Sequence, residues 1–314
     1  MPSLAKHQSS KFTKLILLGD SKSGKTGSVA SLVCEGYKVR ILDMDNGLDV
    51  LKQFVMKNCP DKVDNVEYRT LRDNYKASPI GPIIDGPPRA FPDALKMLDR
   101  WKYKDEDGNE IDLGDPAEWG EDTILVVDSL SFLSDAAFAF REPMAKKGDS
   151  GKYDMRSVYG DAQDAIEKVL DQLTSDKFCT NVIVIAHVRY VDNPDGTKKG
   201  YPVSVGSALS PTIPRYFNTV IRYKTVGSKR TIETVSSAMF DLANPAPFAV
   251  QNTYPLETGL ADIFKVLRAQ SKEVMPSGPK QPVSNDKTPE RKGVITAIKP
   301  LAKAAQQPKL SRRI

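Results

Sequence analysis

Leu15-Ile16-Leu17-Leu18-Gly19-Asp20-Ser21-Lys22-Ser23-Gly24-Lys25-Thr26 is the stretch on which the reading of this 314-residue chain turns. A short apolar run breaks into a glycine-framed turn that ends in Lys-Thr. Gly19, Gly24, Lys25 and Thr26 fill the fixed positions of the pattern G-x-x-x-x-G-K-[ST]. The apolar run before them and the Ala30-Ser31-Leu32-Val33 helix pattern after them supply a strand-loop-helix context. Such a loop turns backbone N–H groups toward phosphate oxygens, and the helix behind it presents the positive end of its dipole to the same anion. Gly19, Asp20, Ser21, Lys22, Ser23, Gly24, Lys25 and Thr26 are therefore the expected ATP-binding residues. Lys25 would reach the β and γ phosphates, and Thr26 would place its hydroxyl on Mg²⁺.

Working outward, Gly36 stands where a left-handed cap would end the helix from about Lys25 to Glu35. Val39-Arg40-Ile41-Leu42-Asp43-Met44-Asp45 follows as a buried strand. On an extended chain its two acids, spaced by one residue, point to the same side. Leu48, Leu51, Phe54 and Val55 form a helical stripe, and Val66 to Leu71 alternates like a strand. Thr123-Ile124-Leu125-Val126-Val127-Asp128-Ser129 is a fully apolar strand that delivers one acid at its end, and Asn181 to Ala186 is another that delivers His187. Alternating β and α elements predict an α/β fold with a mostly parallel central sheet flanked by helices. Acids and histidines at one edge of such a sheet lie where ligands bind. Asp128 reads either as a second Mg²⁺ contact opposite Thr26 or as a cap on the helix behind it. His187 reads either as a γ-phosphate sensor or as a core histidine.

Of the 45 Lys and Arg and 40 Asp and Glu that give the chain its formal charge of +5, ten basic residues and three acids follow residue 270, so the preceding part is slightly acidic. A basic surface on the folded part cannot be argued from totals. The tail from residue 271 is rich in Pro, Ser, Lys and Gln and is expected to be disordered, as is the stretch 1–11. Between them, 12–270 reads as one ATPase domain, with an acidic, solvated insertion at 104–121 whose Asp107-Gly108-Asn109 suits a hairpin tip. Cys34, Cys59 and Cys179 are widely spaced and suggest neither a disulfide framework nor a metal cage. With no signal peptide and no membrane span in view, a cytoplasmic protein is expected.

Two loops carry positive charge. Residues 141–156 hold Lys146, Lys147, Lys152 and Arg156 with Gly148 and Gly151, a composition that suits a polyanion or an ordinary solvated loop. Residues 189–205 interleave Arg189, Tyr190, Lys198, Lys199 and Tyr201, which suits single-stranded DNA through backbone charge and base stacking, or a plain hairpin. A C-terminal antiparallel hairpin joins Thr219 to Thr225 with Arg230 to Val235, and Lys229 and Arg230 at its tip could reach a neighbouring subunit's nucleotide.

The order of these motifs resembles the ATPase core of the RecA-like recombinases. A phosphate loop is followed by Asp43-Met44-Asp45, then Val127-Asp128-Ser129, then a polar residue after Val182 to Ala186, with Gly206-Ser207-Ala208-Leu209 ahead of a hairpin strand. More narrowly it is similar to phage-encoded RecA-like ATPases that act in single-strand annealing, which would place it in the host cytoplasm. That resemblance covers about residues 12–235. It implies a P-loop ATPase using ATP and Mg²⁺, with Lys25, Asp45, Asp128 and His187 as catalytic residues and Thr26 and Asp128 at the metal. Asp45 would take the place of the glutamate that activates water, one methylene shorter, and the two basic loops the places of DNA-binding loops. It also implies a homo-oligomer, ring or filament, that binds single-stranded DNA and promotes annealing or pairing, with a single-strand-binding protein as a further partner. A helicase or packaging motor and a protein-binding regulatory ATPase are the alternatives on the same core.

Overall fold

The structure is a computed structural model that describes residues 11–147, 153–194 and 196–272. The tails expected at either end, and Gly148, Gly151 and Lys152, lie outside the described residues, apart from Lys11 and residues 271–272. In chain order the elements are β1 (Lys14–Gly19), α1 (Lys25–Ser28), α2 (Ala30–Cys34), β2 (Lys38–Asp43), α3 (Asp49–Asn58) and β3 (Val66–Thr70). A small hairpin, β4 (Tyr75–Lys76) and β5 (Ile83–Ile84), precedes α4 (Ala90–Asp99). A second, β6 (Lys102–Lys104) and β7 (Glu110–Asp112), precedes β8 (Gly120–Asp128), α5 (Leu130–Arg141) and α6 (Met155–Thr174). Then come β9 (Thr180–Ala186), the ribbon β10 (Val188–Asp192) and β11 (Lys198–Pro202), β12 (Thr219–Val226), β13 (Lys229–Glu233), β14 (Thr253–Pro255) and α7 (Gly259–Lys272).

Eight strands form one sheet in the order β14-β13-β12-β1-β9-β8-β2-β3. The six from β12 to β3 are parallel, and β13 and β14 are antiparallel additions. The buried strands read as continuous apolar runs because helices cover both faces. Successive side chains alternate between those faces. Ile16, Leu18, Leu125, Val127, Val182 and Val184 pack with Phe91 of α4, Leu133 of α5 and Ile166 and Leu170 of α6. Leu15, Leu17, Val126, Ile183, Ile185, Tyr223 and Ile232 pack with Leu32 of α2, Leu51 and Val55 of α3, and Ile263 and Phe264 of α7. Each such side chain taken out of water contributes about 1.5–3 kcal/mol, which fixes strand register.

That register aligns the functional edge. Asp43 pairs with Asp128, Asp128 with Ile185, and Ala186 with Leu18, so four parallel strands end together where the phosphate loop begins.

Several expectations change. The single helix after the loop is two short segments that meet at Val29. Cys34 and Cys59 form a disulfide with Cα atoms 5.4 Å apart, because the ends of α2 and α3 meet although the residues are 25 apart in sequence; Cys179 is free and exposed. The insertion at 104–121 has the expected hairpin turn, but it does not stay in solvent. Pro116 is buried, and Trp119 packs edge-on against buried Trp101, 5.5 Å between centroids. The stretch 189–205 is largely an ordered antiparallel ribbon. Arg156 belongs to the first turn of α6, whose start is capped by Asp154 accepting from Ser157 N at 3.2 Å.

Candidate nucleotide-binding site

β1 ends at Gly19 and the chain turns through residues 20–24 into α1. The turn needs backbone freedom at two places. A Cβ on Gly19 would lie 2.8 Å from Ser23 Oγ and 2.9 Å from Tyr223 O, and Gly24 has φ of 99° with the Leu256 methyls closing on it. Lys25 folds back over the loop and donates to Gly19 O and Asp20 O, both at 2.8 Å. Burial pushes its ammonium down to about 8, with Asp128, Asp20 and Asp45 holding it up. A lysine so placed gains from an arriving anion what the protein alone does not supply.

Thr26 Oγ1 donates to Asp128 Oδ2 at 2.6 Å. Burial pushes the Asp128 carboxyl up to about 6 despite that hydrogen bond, and Asp45 and Asp43 add to the rise. Asp128 therefore accepts a hydrogen bond rather than capping α5, where Ser129 is the N-terminal residue and supplies no side-chain cap. Ser129 Oγ and Ser23 Oγ are buried without a hydrogen-bond partner among the described residues. Two unpartnered hydroxyls, a hydroxyl–carboxylate pair and a desolvated lysine within one cleft fit a phosphate chain and a hard divalent cation. Thr26 and Asp128 would hold Mg²⁺.

The two acids expected on one side of β2 part company, because the strand ends at Asp43 and Asn46 turns to φ of 57°. Asp43 is buried, accepting from Thr70 Oγ1 at 2.8 Å and Asn46 N at 2.7 Å, and it buttresses the turn. Asp45 alone lines the cleft. His187 lines it too, its ring edge-on to Phe132 at 6.1 Å and its backbone N–H on Ser131 Oγ at 3.2 Å. Burial and then Lys25 hold its imidazole below the usual value, against the pull of Asp45. The cleft, about 260 Å³, is bounded by residues 21–27, Asp45, Gly47, Val50, Asp128, His187 and Arg230. Gly27 also lines a groove of about 640 Å³ that runs past Phe54, Lys57, Leu256 and Thr258.

The loop residues are more dispersed. Lys146, Lys147 and Arg156 are exposed, Lys147 lying 5.8 Å over the Tyr153 ring. On the ribbon, Arg189 is exposed, Lys198 pairs with Asp192 at 3.5 Å, Lys199 pairs with Asp241 at 2.6 Å, and Tyr201 is half-buried. Tyr190 donates to both carboxylate oxygens of Asp20, at 3.2 and 3.3 Å, which ties the ribbon to the phosphate loop. Burial and Asp20 raise its hydroxyl above the usual value. Lys229 lies at the hairpin turn and does not line the cleft, whereas Arg230 does. Sequence reading missed Tyr223, fully buried, whose hydroxyl shares a 2.7 Å hydrogen bond with Ser28 Oγ and braces α1 against the sheet. An isolated tyrosine in an apolar strand was its only signal.

The AAA domain family profile matches residues 11–244. No curated protein matches the sequence. Among solved structures, the RadB recombinase is similar over 72% of this chain and 81% of its own, at 16% identity and a TM-score of 0.37. An ATPase from the type III secretion system of pathogenic bacteria is similar over 68% of this chain and 52% of its own, at 13% and 0.34. The ATPase domain of a helicase is similar over 71% of this chain and 76% of its own, at 7% and 0.31.

Proposed function

The chain belongs to the AAA domain family, and from that premise we propose that it binds and hydrolyses ATP with Mg²⁺ and acts as an oligomeric recombination protein on single-stranded DNA. The observation that carries the nucleotide part is the Thr26–Asp128 hydrogen bond at 2.6 Å beside buried Lys25. When bound, Mg²⁺ would neutralise charge on the β and γ phosphates. Lys25 exchanges its two carbonyl partners for phosphate oxygens. Asp45 orients the attacking water and accepts its proton, through a second water if the shorter side chain falls short. His187, kept neutral at pH 7 by burial and by Lys25, donates a hydrogen bond to the γ-phosphate. The groove that Gly27 shares with the cleft suits ribose and base, with Phe54 as an apolar wall.

Support for a nucleic-acid partner is the ribbon, which carries Arg189, Tyr190 and Lys198 on its exposed side and is bonded to Asp20 of the phosphate loop. Charge and an aromatic on a two-stranded arm suit a sugar-phosphate backbone and stacked bases. The test is binding of a labelled single-stranded oligonucleotide across a salt series, with and without Mg²⁺ and a non-hydrolysable ATP analogue. The expected result is nucleotide-dependent binding with a steep salt slope, weakened by Arg189→Ala with Lys198→Ala while ATP affinity stays within about twofold. Binding that ignores nucleotide, or that the double variant leaves unchanged, would overturn the DNA part. Self-association belongs to the same proposal and is checked by sedimentation with and without nucleotide.

A further inference from the structure

We propose that Arg230 serves the nucleotide of its own chain, as a cation built into the sheet beside the phosphate loop; this rests on reading the cleft as an ATP site. Strand pairing carries the argument. β12 runs parallel to β1, and their last pair is Gly19 with Tyr223. β12 continues to Val226, past the end of β1 and alongside the phosphate loop, and Thr225 in that extension pairs with Arg230 of β13. Arg230 thus stands two rungs, about 7 Å, beyond the end of β1.

The pleat then selects the face. Tyr223 and its partner Ile232 are buried on the side where Tyr223 meets Ser28 of α1. Side chains two residues along share that side, so Thr225 and Arg230 face the phosphate-loop helix and Lys229 faces away. Arg230 accordingly lines the cleft with Lys25, Asp128 and His187, and it forms no ion pair among the described residues. Its hairpin is held in the sheet by pairing with β12 and β14, and by Glu233 accepting from Arg222 at 3.3 Å and Lys224 at 2.8 Å. A guanidinium held this way meets the outer end of a triphosphate without any movement of the strand.

Its task is electrostatic. In hydrolysis the water oxygen bonds to the γ-phosphorus while the bond to the β,γ-bridging oxygen breaks, giving ADP, inorganic phosphate and a proton that leaves by way of Asp45. Arg230 forms and breaks no covalent bond. It balances charge on the γ-phosphate oxygens that Lys25, on the β side, does not reach.

The test uses full-length protein at a concentration where sedimentation shows monomer. Fluorescent ATP and ADP analogues are titrated into wild type, Arg230→Ala and Arg230→Lys. We expect Arg230→Ala to lose about tenfold in ATP affinity with ADP affinity held within about twofold, and Arg230→Lys to recover part of the loss. Turnover should fall by at least about 100-fold in Arg230→Ala. Mixing Arg230→Ala with Lys25→Ala copies should restore nothing, because neither chain then holds a complete site. Recovery of about a quarter of the wild-type rate, the share of random pairings that unite the two intact residues, would mean that Arg230 acts across a subunit interface and would overturn the proposal. So would an Arg230→Ala monomer that binds ATP as wild type does. A wild-type chain that binds neither analogue would remove the ATP-site reading itself, and the proposal with it.

Discussion

Replacing Lys25 by methionine should separate nucleotide binding from stability. The drop of its ammonium from 10.5 to about 8 means that holding the charge in the fold costs about 3 kcal/mol at neutral pH, at about 1.4 kcal/mol per pH unit. That cost is fully present below about 8 and vanishes as pH rises through 10.5, because over that interval the unfolded chain binds the proton that the folded chain has released. Methionine removes the cost but also the hydrogen bonds to Gly19 O and Asp20 O, worth about 1 kcal/mol each. The net expectation at pH 7 is a gain of about 1 kcal/mol, or about 2–4 °C in Tm. At pH 10 most of the charge cost has gone, so the variant should be less stable than wild type by about 1 kcal/mol. Urea unfolding of both proteins at pH 7 and 10, without nucleotide, reads the difference, and the nucleotide-induced stabilisation of wild type should be lost in the variant at either pH. A variant equally destabilised at both pH values would refute the reasoning. Lys25 would then be a strut whose hydrogen bonds outweigh its desolvation.

Tyr190→Phe removes the tie between the ribbon and Asp20. It should cost less than about 1 kcal/mol, since the contact is partly exposed, and speed amide exchange at residues 20–23 and 188–192 together. Acceleration confined to the ribbon would show that the contact does not couple the two. Cys34→Ser with Cys59→Ser opens a loop of 25 residues and should lower stability by about 3 kcal/mol in the absence of reductant, with wild type falling to the same level when reductant is added. Wild-type stability that does not respond to reductant would contradict a disulfide that staples α2 to α3.

What could be read from the sequence was local. The phosphate loop announces itself within eight residues, and β8 and β9 are apolar runs with one polar tip because both of their faces are covered. Asp128 and His187 therefore stood out. The remainder depends on partners far along the chain. Whether Asp43 or Asp45 enters the cleft is decided by Thr70, which takes the Asp43 carboxylate, and by the turn at Asn46. That Arg230 rather than Lys229 faces the phosphate loop follows from β12 pairing with β1 across some 200 residues, and no periodicity within the hairpin reveals it. The lysines of the ribbon read as free charge until Asp192 and Asp241 are placed beside them. The disulfide is hidden for the same reason, because only the packing of α2 on α3 brings Cys34 to Cys59.

The most direct test of the account is phosphate release from ATP by wild type and Asp128→Asn, with and without Mg²⁺, alongside equilibrium binding of ATP. If the Thr26–Asp128 pair is the metal-holding element, wild-type turnover requires Mg²⁺, and Asp128→Asn loses at least about 100-fold in rate while ATP affinity without metal changes by less than about threefold. Turnover by Asp128→Asn at the wild-type rate, or a wild-type chain that binds no ATP, would contradict it.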